Sequence, residues 1–394
     1  MKILAFTYAS TINGGANRSF LMVLEWLKVK YNSEITVVVP SYGPLCDCLD
    51  ELSIKWIKHK SLIVGAVPIS SIKNFFRTIR YEKNLIFDSL TSFRLEQKIK
   101  NKNYDIVYIN DNSTFFGAIY AQKHSLPYVW HFRSDYDAKA FFVPGTKRLI
   151  LPCDMVIAIS EGMMKQYKKH PVLSKVNMKV VLNAIPIKNE NPYSSHNRDS
   201  GLKILLCGRI CEDKCQLDAV KAIKLIKDEY QVTDIFLQIV GEDSGKYYEQ
   251  INTYICENDL SRQVSFSGFI DDMQHFREKM NCELICSKRE PFGRVTLEGM
   301  RAGLVVIGAN TGGTPEIITN GETGCLYEQG NIEDLAEKIM WVYSNPEAAD
   351  ILAQNAYSFS RVHFTPEEAV KAINTILLDC VNNKNHPYCN LDKT

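Results

Sequence analysis

Several features that would settle a protein's class at once are missing from this chain. It has no charge excess: 46 Lys and Arg stand against 45 Asp and Glu, a formal net charge of +1, which argues against a dedicated nucleic-acid binder. It has no apolar run near the ~20 residues of a membrane span, and stretches such as Met155–Ile159 are strand-length. The N-terminus, MKILAFTYAS, passes directly into a strand pattern, without a long apolar core and a small-residue cleavage site, so no signal peptide is expected. There is no internal repeat and no low-complexity tract. The 12 cysteines are scattered. Cys207, Cys211 and Cys215 are evenly spaced, but no nearby His or Cys pair completes a zinc set. Cys207, Cys282 and Cys286 sit in apolar strands, where a free thiol behaves as a small hydrophobe. Reduced structural cysteines, no metal and a cytoplasmic location are the expectation.

What is present suits two cores. With 394 residues, 45% hydrophobic and 23% charged, the chain is long enough for two globular domains. Its first part has β-branched runs at Ile3–Thr7, Ile35–Val39, Asp105–Ile109, Tyr128–His131, Met155–Ile159 and Lys179–Leu182. Between the first two, Phe20, Leu21, Val23, Leu24 and Leu27 show helical spacing. This alternation predicts a parallel sheet covered on both faces. The polar segment KNENPYSSHNRDS, Lys188–Ser200, reads as a linker. Strand patterns then restart at Ile204–Cys207, Ile235–Val240, Val264–Ser267, Glu283–Cys286 and Leu304–Ile307.

The expected fold class is therefore α/β, with two doubly wound, Rossmann-like domains facing a cleft at the carboxyl ends of their strands. Residues 1–187 would form the first, 188–200 the linker and 201–364 the second. Thr365, Pro366 and Glu368 spell an N-cap, a first helical residue and a capping box. Residues 365–394 should thus hold a last helix, packing across both domains, and a tail.

Two segments carry groups suited to a phosphate-bearing ligand. CGRICEDK, Cys207–Lys214, ends a strand at Gly208 and places Arg209 and Lys214 on the loop beyond. An Arg fork and a Lys point charge on one such loop suit a diphosphate. The plainer alternative is a solvated loop whose cations pair with Glu212 and Asp213. In SKREPFGRVTLEGMRAG, Ser287–Gly303, Glu290 and Glu298 stand eight residues apart around Gly293, with a helical pattern over Val295–Ala302. Glu290 would lie on the loop before the helix and Glu298 about one turn inside it. The backbone N–H groups around Gly293, Arg294 and Val295 would form a helix N-terminus, which attracts anions. Alternatively, Glu290 merely favours the helix start and Glu298 is a surface residue.

With ANTGGTPEIITNGETGCLYEQGN, the N-terminal STINGGANRSF, VWHFR and VIAISEGM, these motifs resemble the large family 4 of retaining glycosyltransferases (glycosyl transferases group 1), which has the GT-B fold. The resemblance covers nearly the whole chain and is strongest from Gly201 to Glu333. It implies that Arg209 and Lys214 hold the donor diphosphate, that Glu298 binds the nucleotide ribose, and that Glu290 binds hydroxyls of the transferred sugar. It further implies that Gly14 and Gly15 let the backbone approach the donor phosphate or acceptor, and that His131 sits beside the reacting sugar. Read without the family, Gly14-Gly15 is a plain turn and His131 a hydrogen-bonded core residue. Cys215, Val305 and Ala184 replace the usual Gly, Pro and Gly of the family, and Arg294 stands where an apolar residue is common.

The implied reaction moves a hexose-type sugar from a nucleotide-diphosphate sugar to a glycan or lipid-linked acceptor, with retention and with no cofactor beyond the donor. A nucleotide-sugar epimerase of the same fold and a non-catalytic sugar-nucleotide or glycan-binding protein are the rival readings. One stretch adds a possible partner. Between Lys55 and Lys102 there are 11 Lys and Arg against 3 Asp and Glu, interleaved with Trp56, Phe75, Phe76, Phe87 and Phe93. This suits a helix lying on an anionic membrane, which would place the protein peripherally on the inner face. It equally suits a core helix with a solvated basic face.

Overall fold

The computed structural model describes residues 1–12, 14–62, 72–99, 103–135, 142–187, 193–194, 200–242 and 244–383, with side chains from residue 76 onward in the helix that begins at residue 72. The expected linker therefore falls largely outside the described residues, as does the tail after residue 383. Contacts divide the chain into two compact units, Met1–Pro186 with Pro366–Thr394, and Ile187–Thr365.

The first unit runs β1 (Lys2–Phe6), α1 (Gly15–Tyr31), β2 (Glu34–Val39), α2 (Pro44–Glu51), β3 (Lys55–Lys58), α3 (Ile72–Ile99), β4 (Ile106–Asn110), α4 (Phe116–Lys123), β5 (Tyr128–Phe132), α5 (Pro144–Ile150), β6 (Met155–Ala158), α6 (Glu161–Lys168) and β7 (Met178–Val180). Its seven strands form one parallel sheet, ordered β3-β2-β1-β4-β5-β6-β7. The strands are apolar on both faces because helices cover both. Ile3, Val37, Ile106 and Val129 are buried with Phe20, Leu24 and Leu27 of α1.

The second unit runs β8 (Leu202–Cys207), α7 (Gln216–Leu225), β9 (Ile235–Val240), α8 (Lys246–Glu257), β10 (Val264–Phe266), α9 (Met273–Arg277), β11 (Cys282–Ile285), α10 (Arg294–Arg301), β12 (Val305–Ala309), α11 (Thr314–Ile317), β13 (Cys325–Tyr327), α12 (Ile332–Ser344) and α13 (Pro346–Val362). Its parallel sheet has the order β10-β9-β8-β11-β12-β13. Tyr193, from the polar segment expected as a linker, packs on this unit's core and bonds to Asp350. At Thr365 the chain returns to the first unit, where α14 (Pro366–Asn382) buries Val370, Ile373 and Leu377 in the core with α1.

Both sheets are thus α/β and doubly wound. In each, the strand order reverses once, between β1 and β4 and between β8 and β11. Loops at the carboxyl ends of those strands diverge and leave a crevice for ligands. Two short strands escaped the sequence pattern. β3 is the four-residue KWIK, whose ends are exposed lysines, and β13 is only three residues long. Among the described residues, no helix is long and apolar enough to cross a membrane.

Candidate active site

The second unit brings its site residues together at the reversal point. β8 ends at Cys207, and Arg209 projects from the loop beyond it. The Arg209 side chain is exposed and has no hydrogen-bond or ion-pair partner among the described residues, while buried Ile210 anchors the loop. A short turn, Glu212–Lys214, follows. It is tied to the loop after β11 by the Lys288 N–H, which donates to the Asp213 carbonyl at 2.9 Å. That tie sets Lys214 Nζ 2.6 Å from Glu290 Oε2, which also accepts from Ser287 Oγ at 3.1 Å. The cation expected at the diphosphate and the carboxylate expected at the sugar are therefore paired with each other.

The loop bearing Glu290 is held from behind by the Thr311–Thr314 segment. The Gly313 N–H donates to the Glu290 carbonyl at 2.7 Å. Gly312 has φ +60°, and a Cβ there would lie 2.2 Å from the same carbonyl. The paired glycines are thus a condition for placing Glu290, because any side chain would push the loop away.

Helix α10 begins at Arg294, after Gly293. Its first turn has no acidic residue and no side-chain cap. No side chain therefore caps the start of this helix, where N–H groups attract anions. Glu298, one turn in, has Oε2 3.2 Å from Arg277 and Oε1 3.7 Å from Arg294. Arg277 in turn donates to both oxygens of buried Glu283, at 2.9 and 3.0 Å. Burial alone would lower the Arg277 pKa, but Glu283 and Glu298 outweigh it and hold the guanidinium charged. A Cβ on Gly299 would lie 2.4 Å from Glu283, so glycine lets α10 approach this pair. Sequence reasoning missed Arg277 and Glu283. The available signal was Glu283 itself, a lone carboxylate inside the apolar strand CELI.

The first unit arranges its residues differently. Gly14 precedes α1 in an extended conformation and Gly15 is its first residue; a Cβ on Gly14 would meet nothing within 4 Å. The loop before them is laced to Asn17. Asn17 Nδ2 donates to the carbonyls of Ala9 (3.0 Å) and Thr11 (2.8 Å), and its Oδ1 accepts from Thr7 and from Asn110 at the end of β4. Asn110 Oδ1 accepts from Arg133 Nε at 2.6 Å, and Arg133 also donates to Asn183 at 2.7 Å.

His131 lies inside this network and is 1% exposed. Its Nδ1 is 2.6 Å from the Tyr108 hydroxyl and 3.2 Å from Arg133. Arg133 can only donate, so Nδ1 is an acceptor and the proton sits on Nε2. Burial, with Arg133 beside it, pushes the His131 pKa well down, and the ring is neutral. Its Nε2 has no hydrogen-bond partner among the described residues and is itself sealed from solvent. Asn17, Tyr108, Asn110, Arg133 and Asn183 were not singled out from sequence, because they are uncharged or scattered across four elements.

Comparison with known proteins bears on family and fold. Residues 13–189 match the sequence profile described as Glycosyltransferase Family 4, and residues 188–359 match Glycosyl transferases group 1. An uncharacterized glycosyltransferase of Methanocaldococcus jannaschii is 30% identical over 157 residues, 40% of this chain and 44% of that protein. A capsular polysaccharide biosynthesis glycosyltransferase of Staphylococcus aureus is 27% identical over 151 residues, 38% of each chain. The alignments thus span less than half the length of these relatives. The crystal structure of Anabaena HepE with UDP-glucose superposes with a TM-score of 0.73 at 20% identity, covering 96% of this chain and 100% of that one. Two profile matches meeting at residues 188–189, over two parallel α/β sheets, place the chain in the glycosyl transferases group 1 family, with the GT-B fold.

Proposed function

We propose that this protein is a retaining, metal-independent glycosyltransferase. It takes a hexose-type sugar from a nucleotide-diphosphate sugar and delivers it to a glycan or lipid-linked acceptor in cell-surface polysaccharide assembly, from a cytoplasmic, membrane-peripheral position. The observation that carries this reading is the pairing of Lys214 with Glu290 on the loop before the uncapped start of α10, which bears Glu298, with Arg209 exposed on the same loop as Lys214. Cleaving the sugar–phosphate bond builds negative charge on the leaving diphosphate. Two cations and a row of N–H groups stabilise that charge where another enzyme would use a metal ion. The donor diphosphate displaces Glu290 from Lys214, freeing the carboxylate to accept sugar hydroxyls while Glu298 accepts from the ribose. Neither carboxylate acts as a nucleophile, because the leaving phosphate takes the acceptor's proton. The UDP-glucose of the Anabaena structure and the capsular role of the Staphylococcus relative support a nucleotide-sugar donor and a polysaccharide product.

The test is a donor screen that follows nucleotide diphosphate release with and without lipid-linked acceptors, in the presence of a strong chelator. Acceptor-dependent release with retention at the anomeric carbon is expected. Interconversion of the donor without acceptor would instead make the protein an epimerase. Binding without turnover would make it a sugar-nucleotide or glycan-binding protein, and loss in chelator with rescue by manganese would refute metal independence.

A further inference from the structure

Helix α3 sorts its side chains by charge. Twelve residues from Arg77 to Lys98 are exposed, and none is acidic. Five are apolar (Ile79, Ile86, Phe87, Leu90 and Phe93) and five are basic (Arg77, Arg80, Lys83, Arg94 and Lys98). Leu90 is 70% exposed, an unusual setting for a leucine on a long helix. The helix's three acids are held elsewhere. Glu82 accepts the Gly145 N–H at 2.9 Å, buried Asp88 accepts the Leu62 N–H, and Glu96 pairs with Lys123 at 2.8 Å. An ordinary solvated face would mix both signs.

Beside this face runs an open groove of about 1040 Å³. Lys60, Arg94 and Lys98 supply its charge, and Leu62, Phe87 and Phe93 its apolar wall. His59 also lines it; the residue is 6% exposed, its ring stacks on Phe116 at 4.5 Å, and its Nε2 has no partner among the described residues. Cations and aromatics in one groove, continuous with an apolar helix face, match a molecule with an anionic head and a hydrocarbon body. We propose that α3 and this groove form a docking site for an anionic phospholipid bilayer, with Lys60, Arg94 and Lys98 on a headgroup phosphate and Phe87, Leu90 and Phe93 among the upper acyl carbons. The site deepens the membrane-peripheral part of the reading above and lies on the first unit, whereas Arg209, Lys214, Glu290 and Glu298 belong to the second. Burial, with Lys98 and Arg94 close by, pushes His59 down to about 4, so the ring is a neutral lining group.

The test is co-sedimentation with phosphatidylcholine vesicles, with and without phosphatidylglycerol, at low salt. The wild-type chain should sediment with the anionic vesicles, remain in solution with the neutral ones, and detach as salt rises. Each cation at such a surface is worth about fivefold in partitioning, so Lys60→Glu with Arg94→Glu should weaken binding at least about 25-fold. Leu90→Ser with Phe93→Ser, on the exposed face, should release the protein at moderate salt while leaving its melting temperature unchanged. Lys246→Glu with Arg262→Glu, the same charge change on the second unit, should bind as wild type.

Equal binding to neutral vesicles, vesicle binding unaffected by either α3 variant, or complete stripping by millimolar inorganic phosphate at fixed ionic strength would overturn the proposal; the last would make the groove a free-anion site. Turnover with a water-soluble acceptor is measured alongside. A chain that turns over but ignores vesicles loses only the docking site. One that binds vesicles but never turns over loses only the transferase reading.

Discussion

Arg133 in the first unit and Arg209 in the second both follow the carboxyl end of a strand close to a reversal point, and they could hardly be used more differently. Arg133 is 5% exposed and donates to Asn110 and Asn183 beside Tyr108 and His131. Arg209 is exposed, and its side chain bonds to nothing among the described residues, although its carbonyl accepts from Gln216 at 3.0 Å. The contrast extends to their neighbours. Around Arg133 nearly every polar atom has a protein partner, whereas Glu290 and Glu298 are part-exposed and held by cations that a ligand can compete for. A polar network that satisfies itself fixes backbone, and one left incomplete at the surface waits for a ligand. The first unit's arginine is thus a structural member that positions the Gly14–Gly15 loop and His131. The second unit's arginine is free to bind.

The sharpest way to break that comparison is to remove each arginine. Arg133→Met strands buried acceptors on Asn110 and Asn183, and should cost about 3–5 kcal/mol of stability, read from urea unfolding. Arg209→Ala should leave the unfolding midpoint where it was. Its cost should appear in turnover, where losing a hydrogen bond to a charged group, about 1.5–3 kcal/mol, means roughly 10–150-fold. Lys214→Ala should fall in the same range. An Arg133 variant as stable as wild type, or fully active Arg209 and Lys214 variants, would erase the distinction.

The same contrast explains what the sequence made legible. The second unit's site was readable because its charged residues crowd two short loops, CGRICEDK and SKREPFGR, each at the end of an apolar strand. Charge next to a strand end is a local signal. The network around His131 draws Asn17 from α1, Tyr108 and Asn110 from β4, Arg133 from beyond β5 and Asn183 from beyond β7. Those residues are 166 positions apart at the extremes, from Asn17 to Asn183, and only the strand order β1-β4-β5-β6-β7 brings them together. Most strands were legible for a related reason, since burial on both faces writes a continuous apolar run. β3, with a lysine at each end, writes none, and the run of β13, CLY, is only three residues. The pairing of Lys214 with Glu290 was invisible because it depends on the cross-tie between Asp213 and Lys288.

A smaller effect separates the two carboxylates. Glu298→Ala should weaken nucleotide diphosphate binding about tenfold, ~1.4 kcal/mol. Glu290→Ala should hold or improve that affinity, because it releases Lys214 from its ion pair, yet it should impair sugar transfer. Isothermal titration with the free nucleotide diphosphate reads the first effect and donor turnover the second. An equal loss of nucleotide affinity in both would put the two carboxylates in one role.

The smallest effect concerns Cys215, which follows Lys214 where the family often has glycine. Cys215 has φ +53° and ψ +39°, the left-handed region, which costs a residue with a Cβ about 1–2 kcal/mol. The chain keeps a side chain there because it is used. The thiol is 3% exposed and lies in the second unit's core with Ala219 and Tyr327, and burial raises its pKa to about 11. Packing and strain therefore oppose each other, and Cys215→Gly should change stability by less than about 1 kcal/mol. The informative measurement is the difference between two variants. Cys215→Ala and Cys215→Gly both remove the thiol, but only Gly relieves the backbone. At an ordinary helical position Ala is the more stable by about 0.5–1 kcal/mol; here Gly should win by about the same amount. The sign of that difference in thermal unfolding tests the left-handed turn directly, and with it the geometry that aims Lys214 at Glu290. Alanine as the better residue would mean that the turn relaxes to an ordinary conformation, and that the loop bearing Lys214 is set by something other than this residue.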